Sequence, residues 1–466
     1  MYIVPSNRED FGLYCLPDIE RVREFFTAAG MKILGEYIMD LYVGWKILFA
    51  AIAFGLLFSL TYMILLKCFA RLLVWLSIVS CLILLTILGF FFFGLYKEET
   101  DEDYKVVYQV LAIIFWSING LIVLLVFCLY SDIQNSLTVI ESAASFMFEN
   151  CGVILVPIVI NVFFSMFLLY WIVCAGYLLS TGDISQWGDT PFPNVDFSDS
   201  IFRNCFIYHL FAFFWVWAFI ISLNQFLISA TVVQWYFSGS SDTRGSASIA
   251  KSFCWAFFYH IGSLAFGSLL LAIISFIRFI FEYMRKKVMK VQKHNVLARC
   301  ILACFSCCLK CIGECILFIN KNAYVQIIIR STSFCCAAKE AFRLLIRNAT
   351  RFALVNVFST IFIFFGKCAI GVGSAFFSWL VLSSRSEIVD NIYAPSIFII
   401  LCFIIGYSIG VFFLTIYDLA CTTILQCFLI DEEISGGGAN RPKCLDSFSA
   451  EIKSSFIYVN RRERLA

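Results

Sequence analysis

Few side chains in this sequence can do chemistry, and they stand far apart in apolar surroundings. Residues 258–272, FYHIGSLAFGSLLLA, set one imidazole, His260, among small residues. Asn224 and Gln225 are adjacent in FIISLNQFLISATVVQWYF, each with an amide donor and acceptor that need partners. Trp215 and Trp217 precede them in FAFFWVWAF; Trp215 comes nine positions before Asn224, about 2.5 turns, and is expected on its face. An aromatic face beside neutral amides suits a quaternary ammonium, because the ring quadrupole attracts a cation without requiring a proton donor or a fixed carboxylate. Asp418, beside Tyr417 in VFFLTIYDLACTTILQCF, can act as counter-ion or proton carrier, and Lys367 in FFGKCAIGVGSAFF can pair with it. Each has a plainer reading: a helix–helix hydrogen bond for His260, packing or an interface belt for the tryptophans, a wet carboxylate near a helix end for Asp418. Ser263 and Gly267 form a small-xxx-small pair that lets two backbones approach, and Gly366, Gly371 and Gly373 point to close packing or a flexible break.

Cys300, Cys304, Cys307, Cys308, Cys311 and Cys315 resemble a metal cluster until placed at about 100° per residue, when all fall within about 100° of one helix face. One straight helix cannot wrap thiolates around zinc, so no metal is expected; a half-buried helix at the inner membrane surface, open to S-acylation, fits better. No nucleotide-binding loop, nucleophile elbow, zinc-protease motif or carboxylate pair occurs, and no cofactor is expected. A membrane acyltransferase built on His260 would lack a second catalytic group at assignable spacing, so an enzyme is not expected.

The elements that must position these residues follow from composition. Of 466 residues 61% are hydrophobic and 14% charged, with 53 Phe, a surplus that no soluble core can hide. Lipid is the fitting solvent, and a span needs about 20 apolar residues. The expectation is an all-α polytopic membrane protein with about nine transmembrane helices. Apolar runs cover 46–66, 71–95, 106–130, 151–179, 205–237, 252–281, 350–384 and 395–429. A further segment, 132–149, is amphipathic, with Gln134, Thr138, Glu141 and Ser145 on one face; it is either an interfacial helix or a span whose polar face lines a cavity. Pro157 is expected to break or bend the chain after it.

Residues 282–351 carry 13 Lys or Arg against three Glu, which places them in the cytosol. The acidic loops YKEETDEDYK and STGDISQWGDTPFPNVDFSDS lack that excess and belong outside. These placements leave an odd crossing between 205 and 281: either the His260 segment is re-entrant, or 132–149 spans and one acidic loop faces in. The net charge of +2 and its distribution give no support for nucleic-acid binding. Most of the 21 cysteines sit in apolar or basic stretches and are expected reduced, with a Cys15–Cys205 pairing open. The start, MYIVPSNRED, has no secretory signal.

A series of segments, LNQFLISATVVQWYF, YHIGSLAFGS, CFSCCLKCIGECILFINKNAY, SFCCAAKEAF, FFGKCAIGVG and CFLIDEEISGGGANRP, resembles the choline transporter-like family in order across residues 40–443. The resemblance implies a ten-span fold with cytosolic termini and uptake of choline, or in some members ethanolamine. Family members begin with a further span and a large exterior loop, so residues 1–40 resemble the end of that loop and the first span is missing. Family members also carry an acid where this chain has Ala218 and another where it has Thr422; if those acids couple protons in relatives, coupling and substrate can differ here.

The expected organisation is therefore 1–40 as the end of an extracellular loop, 41–281 as the first part of the helix bundle, 282–349 as a basic, Cys-rich cytosolic and interfacial region, 350–429 as a helix pair and 430–466 as a cytosolic tail. The expected activity is carrier-type transport of choline or a related organic cation in a multi-pass membrane protein of the plasma or an organellar membrane. Its site is expected at Trp215, Asn224, Gln225, His260, Tyr417 and Asp418, with membrane lipids as further partners. The alternative is a membrane receptor or scaffold that does not transport and works through residues 282–351.

Overall fold

A backbone surrounded by lipid must satisfy its hydrogen bonds within each segment, and the long apolar runs of this chain do so as helices. The computed structural model describes residues 6–7, 16–17, 31–99, 101–180, 184–186, 193–195, 200–238, 247–291, 296–384 and 394–435. Helix α1 (Met31–Glu98) bends at Phe69, where φ of −134° and ψ of 25° leave the helical region. Then follow α2 (Glu102–Cys128), α3 (Tyr130–Glu149), α4 (Leu155–Ser180), α5 (Ser200–Phe237) and the short α6 (Ile249–Cys254). A π-turn (Trp255–Tyr259) leads into α7 (Ile261–Val291), followed by α8 (Val296–Arg330), α9 (Phe334–Arg347), α10 (Ala349–Ser383) and α11 (Pro395–Ser435). A 3-10 turn, Cys151–Ile154, and two small antiparallel strand pairs, Ser6–Asn7 with Leu16–Pro17 and Ile184–Gln186 with Pro193–Val195, are the other described elements. Pro157 occupies the third position of α4, where a missing N–H costs no intrahelical bond, so it starts a helix and breaks none.

Among the described residues nine helical segments are long and apolar enough to cross a bilayer, two of them in α1. The chain is an all-α, multi-pass membrane protein. Phe127, Leu169 and Tyr170 are 83%, 66% and 67% exposed on outer helices, as lipid-facing side chains are.

The ninth segment is not 132–149. Helix α3 is packed inside the bundle, with Ile133, Leu137, Val139 and Ile140 at most 1% exposed, so it neither rides the interface nor turns its polar face to a cavity. Its edge residue Glu141 accepts two hydrogen bonds from Arg71, at 3.0 and 3.2 Å. The ninth segment is Arg299–Arg330, within the stretch whose charge points to the cytosol. Its apolar side chains outweigh its few charges over that length. Helices α7 and α8 form an antiparallel hairpin: Asn320 Nδ2 donates to the Gly267 carbonyl at 2.8 Å, and Phe281 meets Phe305 with ring centroids 4.8 Å apart. The basic stretch is thereby divided between the hairpin tip and α9. Helix α8 is thus a candidate crossing that neither sequence alternative included. All six cysteines of the 300–315 row are exposed on this one helix.

Close approach depends on small residues. A Cβ on Gly267 would sit 2.5 Å from Tyr324 Oη, and one on Gly406 would sit 2.4 Å from Ser374 Oγ, so glycine is what permits these crossings. Helix α10 runs unbroken through Gly366, Gly371 and Gly373, which settles their role as packing. The Cys15–Cys205 pairing lies outside the described residues, as does the tail beyond residue 435.

Candidate functional site

Helices α5, α8 and α11 line an open cavity of about 670 Å³. From α5 come Ile221, Asn224 and Gln225; from α11, Thr415, Asp418 and Leu419; from α8, Glu314, Cys315, Leu317, Phe318 and Lys321. Helix periodicity accounts for the grouping on α8: Glu314, Phe318 and Lys321 fall on one face, four and then three residues apart. The same rule brings Thr415 and Asp418 together on α11.

Asp418 is the electrostatic centre of the cavity. Its Oδ2 accepts from Lys321 Nζ at 2.7 Å, Ser359 Oγ donates to Oδ1 at 3.3 Å, and Thr422 Oγ1 donates to its backbone carbonyl at 3.0 Å. The Lys321 side chain is 14% exposed and that of Asp418 32%, so the pair is partly shielded from solvent. The carboxylate keeps enough exposure to meet a solute in the cavity. The amide oxygens of Asn224 and Gln225 are buried and make no hydrogen bond within the protein. Glu314 is exposed at the cavity rim.

Three of the six sequence-derived candidates, Asn224, Gln225 and Asp418, meet in this cavity. The other three do not line it. Nine residues at about 100° each place Trp215 half a turn away from Asn224, not on its face. Its indole N–H donates instead to the Ala265 carbonyl of α7 at 3.4 Å, and the side chain is 39% exposed. Tyr417 points away from the cavity, about 100° round the helix from Asp418; it is 1% exposed and donates to the Ile140 carbonyl of α3. His260 sits at the break between the π-turn and α7, half-buried, its ring 5.7 Å from that of Phe226. The break splits the expected 252–281 span and puts the imidazole at its end. Lys321, not Lys367, makes the close ion pair with Asp418; Lys367 is half-buried in α10, within electrostatic reach of that carboxylate.

The sequence reading missed Glu314, Phe318 and Lys321, all inside the segment assigned to the cytosol. The available signal was a glutamate and a lysine on one face of a helix otherwise apolar enough to span. Ala218, where relatives are expected to carry an acid, is 4% exposed and outside the cavity, while Thr422 is turned back onto its own helix.

Residues 113–433 match the family model described as plasma-membrane choline transporter. The chain is 31% identical over 456 residues to "Choline transporter-like protein 2" of Dictyostelium discoideum, covering 92% of this chain and 71% of that protein. It is 27% identical over 478 residues to the protein of the same name from Rattus norvegicus, covering 90% of this chain and 66% of the relative. With "Choline transporter-like protein 1" of Torpedo marmorata it shares 29% identity over 288 residues, covering 62% of this chain and 43% of the relative. A three-helix cavity centred on a carboxylate thus lies inside the matched region, and the chain belongs to the choline transporter-like family.

Proposed function

We propose that the protein is a carrier for choline or a closely related small organic cation, acting at the plasma membrane, with the cavity between α5, α8 and α11 as its binding chamber. The observation that carries this reading is Asp418, a carboxylate 32% exposed on a chamber between three helices long and apolar enough to span a membrane. An acid in such a place marks a route for a cation or proton more often than it serves packing. The fixed positive charge of a quaternary ammonium matches it without proton transfer. Phe318, 37% exposed and the one aromatic ring among the lining residues, offers a π-face for the methyl groups. Asn224 and Gln225 supply acceptors for the hydroxyl of a choline-like solute. The names of the relatives point to the same class of substrate.

The test is uptake of labelled choline by cells or proteoliposomes containing the full chain. Uptake above empty vesicles is expected, with Asp418→Asn reducing it to background and Phe318→Ala weakening binding by about 0.5–2 kcal/mol. Uptake that never exceeds background, in protein shown to be folded, overturns the proposal. Uptake that survives Asp418→Asn moves the site elsewhere in the bundle.

A further inference from the structure

The chamber already contains a cation, and it is covalently tethered. Lys321 Nζ lies 2.7 Å from Asp418 Oδ2, the position where a bound ammonium would seek its counter-charge. A solute cation cannot approach Asp418 while that amine stays, since two positive charges would share one carboxylate. Burial makes such crowding costlier than it would be in water. Lys321 has somewhere to go. Glu314 lines the same chamber seven positions earlier on α8, about two turns or roughly 10 Å along the axis and nearly in the same angular position. That separation is within the combined reach of an extended lysine and glutamate. Glu314 is exposed and has no ion-pair partner among the described residues.

We propose that Lys321 is an exchangeable internal competitor for the substrate cation. It holds Asp418 until a monocation arrives, then swings to Glu314 while the monocation takes the carboxylate. This rests on the carrier reading above and adds the device that controls access to the site. Among the lining residues Asp418, Glu314 and Lys321 carry one net negative charge, which favours a cation in the chamber, and Lys367 of α10, outside the lining, adds a second positive charge within electrostatic reach of Asp418.

The experiment measures choline chloride binding to the purified full chain in lipid nanodiscs for wild type, Lys321→Gln, Glu314→Gln and the double variant. Removing the competitor is expected to tighten binding severalfold in Lys321→Gln. Removing its landing place is expected to weaken binding severalfold in Glu314→Gln. In the double variant the Glu314→Gln effect is expected to vanish, because no lysine remains to be received; such non-additivity is the signature of coupling. Weaker binding in folded Lys321→Gln, or additive effects of the two substitutions, overturns the exchange while leaving the carrier reading intact. Absence of choline binding by folded wild type removes both. Should Lys321→Gln fail to fold, mass-spectrometric labelling of wild-type Lys321 with an amine-selective reagent decides. Saturating choline is expected to raise its reactivity as the amine moves to the rim, and a fall in reactivity overturns the exchange.

Discussion

Individual residues divide into those that hold the bundle and those that face the chamber, and their hydrogen bonds tell them apart. Tyr417 is 1% exposed, and its hydroxyl is bonded to the Ile140 carbonyl. Tyr417→Phe removes that bond while the Ile140 carbonyl keeps its place in the α3 helical ladder, and it is expected to lower stability by about 0.5–1.5 kcal/mol, read as an earlier unfolding transition in detergent, with choline affinity little changed. Asn224 and Gln225 behave oppositely. Their amide oxygens already lack protein partners, so Asn224→Leu with Gln225→Leu is expected to leave the unfolding temperature unchanged or raise it while weakening choline binding. Loss of both stability and binding would assign the amides to packing. Asn224, Gln225 and Asp418 were legible in the sequence because a polar side chain inside a greasy helix is costly wherever no partner or solute meets it. Lys321 was not, because thirteen basic residues over 282–351 drew the whole stretch to the cytosolic surface, and local charge density does not reveal which lysine lies across from an acid. Trp215 failed for a simpler reason: 2.5 turns is a half-turn, and helical phase assigned it to another neighbour.

At the scale of elements, the wall of the chamber depends on how tightly α7 and α8 associate. Gly267 meets Tyr324 Oη and Phe334 within 2.7 Å of where a Cβ would stand, whereas Gly262, one and a half turns earlier on the same helix, has open space there. Gly267→Ala is expected to cost about 1–3 kcal/mol by forcing the helices apart. Gly262→Ala is expected to be neutral or to stabilise by up to about 1 kcal/mol through helix propensity. Thermal unfolding of the two variants side by side checks the contrast, and equal effects would mean that α7 does not pack as described. Eight of the apolar runs read from the sequence correspond to observed helices, since hydropathy over span-length windows is dominated by lipid contact. The status of 132–149 and 299–330 was not legible. An amphipathic helix buried by other helices and a span crossed by several charges both look locally like interface segments, and only their tertiary neighbours separate them.

For the whole molecule, the nine candidate crossings among the described residues imply a sidedness. If each apolar segment crosses once, Glu99, Asp101, Ser180 and Ser200 share one side with residue 394, while α3, α9 and the end of α11 share the other. Contacts between chain ends agree: Ala394 N donates to Asp40 Oδ2 at 3.1 Å on the first side, and Arg347 meets Glu433 at 2.9 Å and Arg351 meets Glu432 at 3.3 Å on the second. The cytosolic C-terminus that the family resemblance implies would put the second side, which holds the end of α11, in the cytosol. A tag inserted between 187 and 190 is therefore expected to be labelled from outside intact cells, and a cysteine-reactive probe at Lys339→Cys only after permeabilisation. Labelling of both from one face would mean that α8 does not cross.

The wide turn at Trp255–Tyr259 has a bearing beyond its own five residues. It is closed by His260 N bonded to the Trp255 carbonyl at 3.1 Å, and upstream of it Gln234 Nε2 reaches Ser252 Oγ at 2.8 Å. Excising one residue from the turn would restore an ordinary helical ladder yet swing everything before it by about 100°. Ser252 would then face away from Gln234 and Thr231, and the end of α5 would lose its polar fastening. The extra residue acts as a phase-setter, and a chain without it would keep every side chain of the chamber while losing the angle at which its neighbouring helix is held.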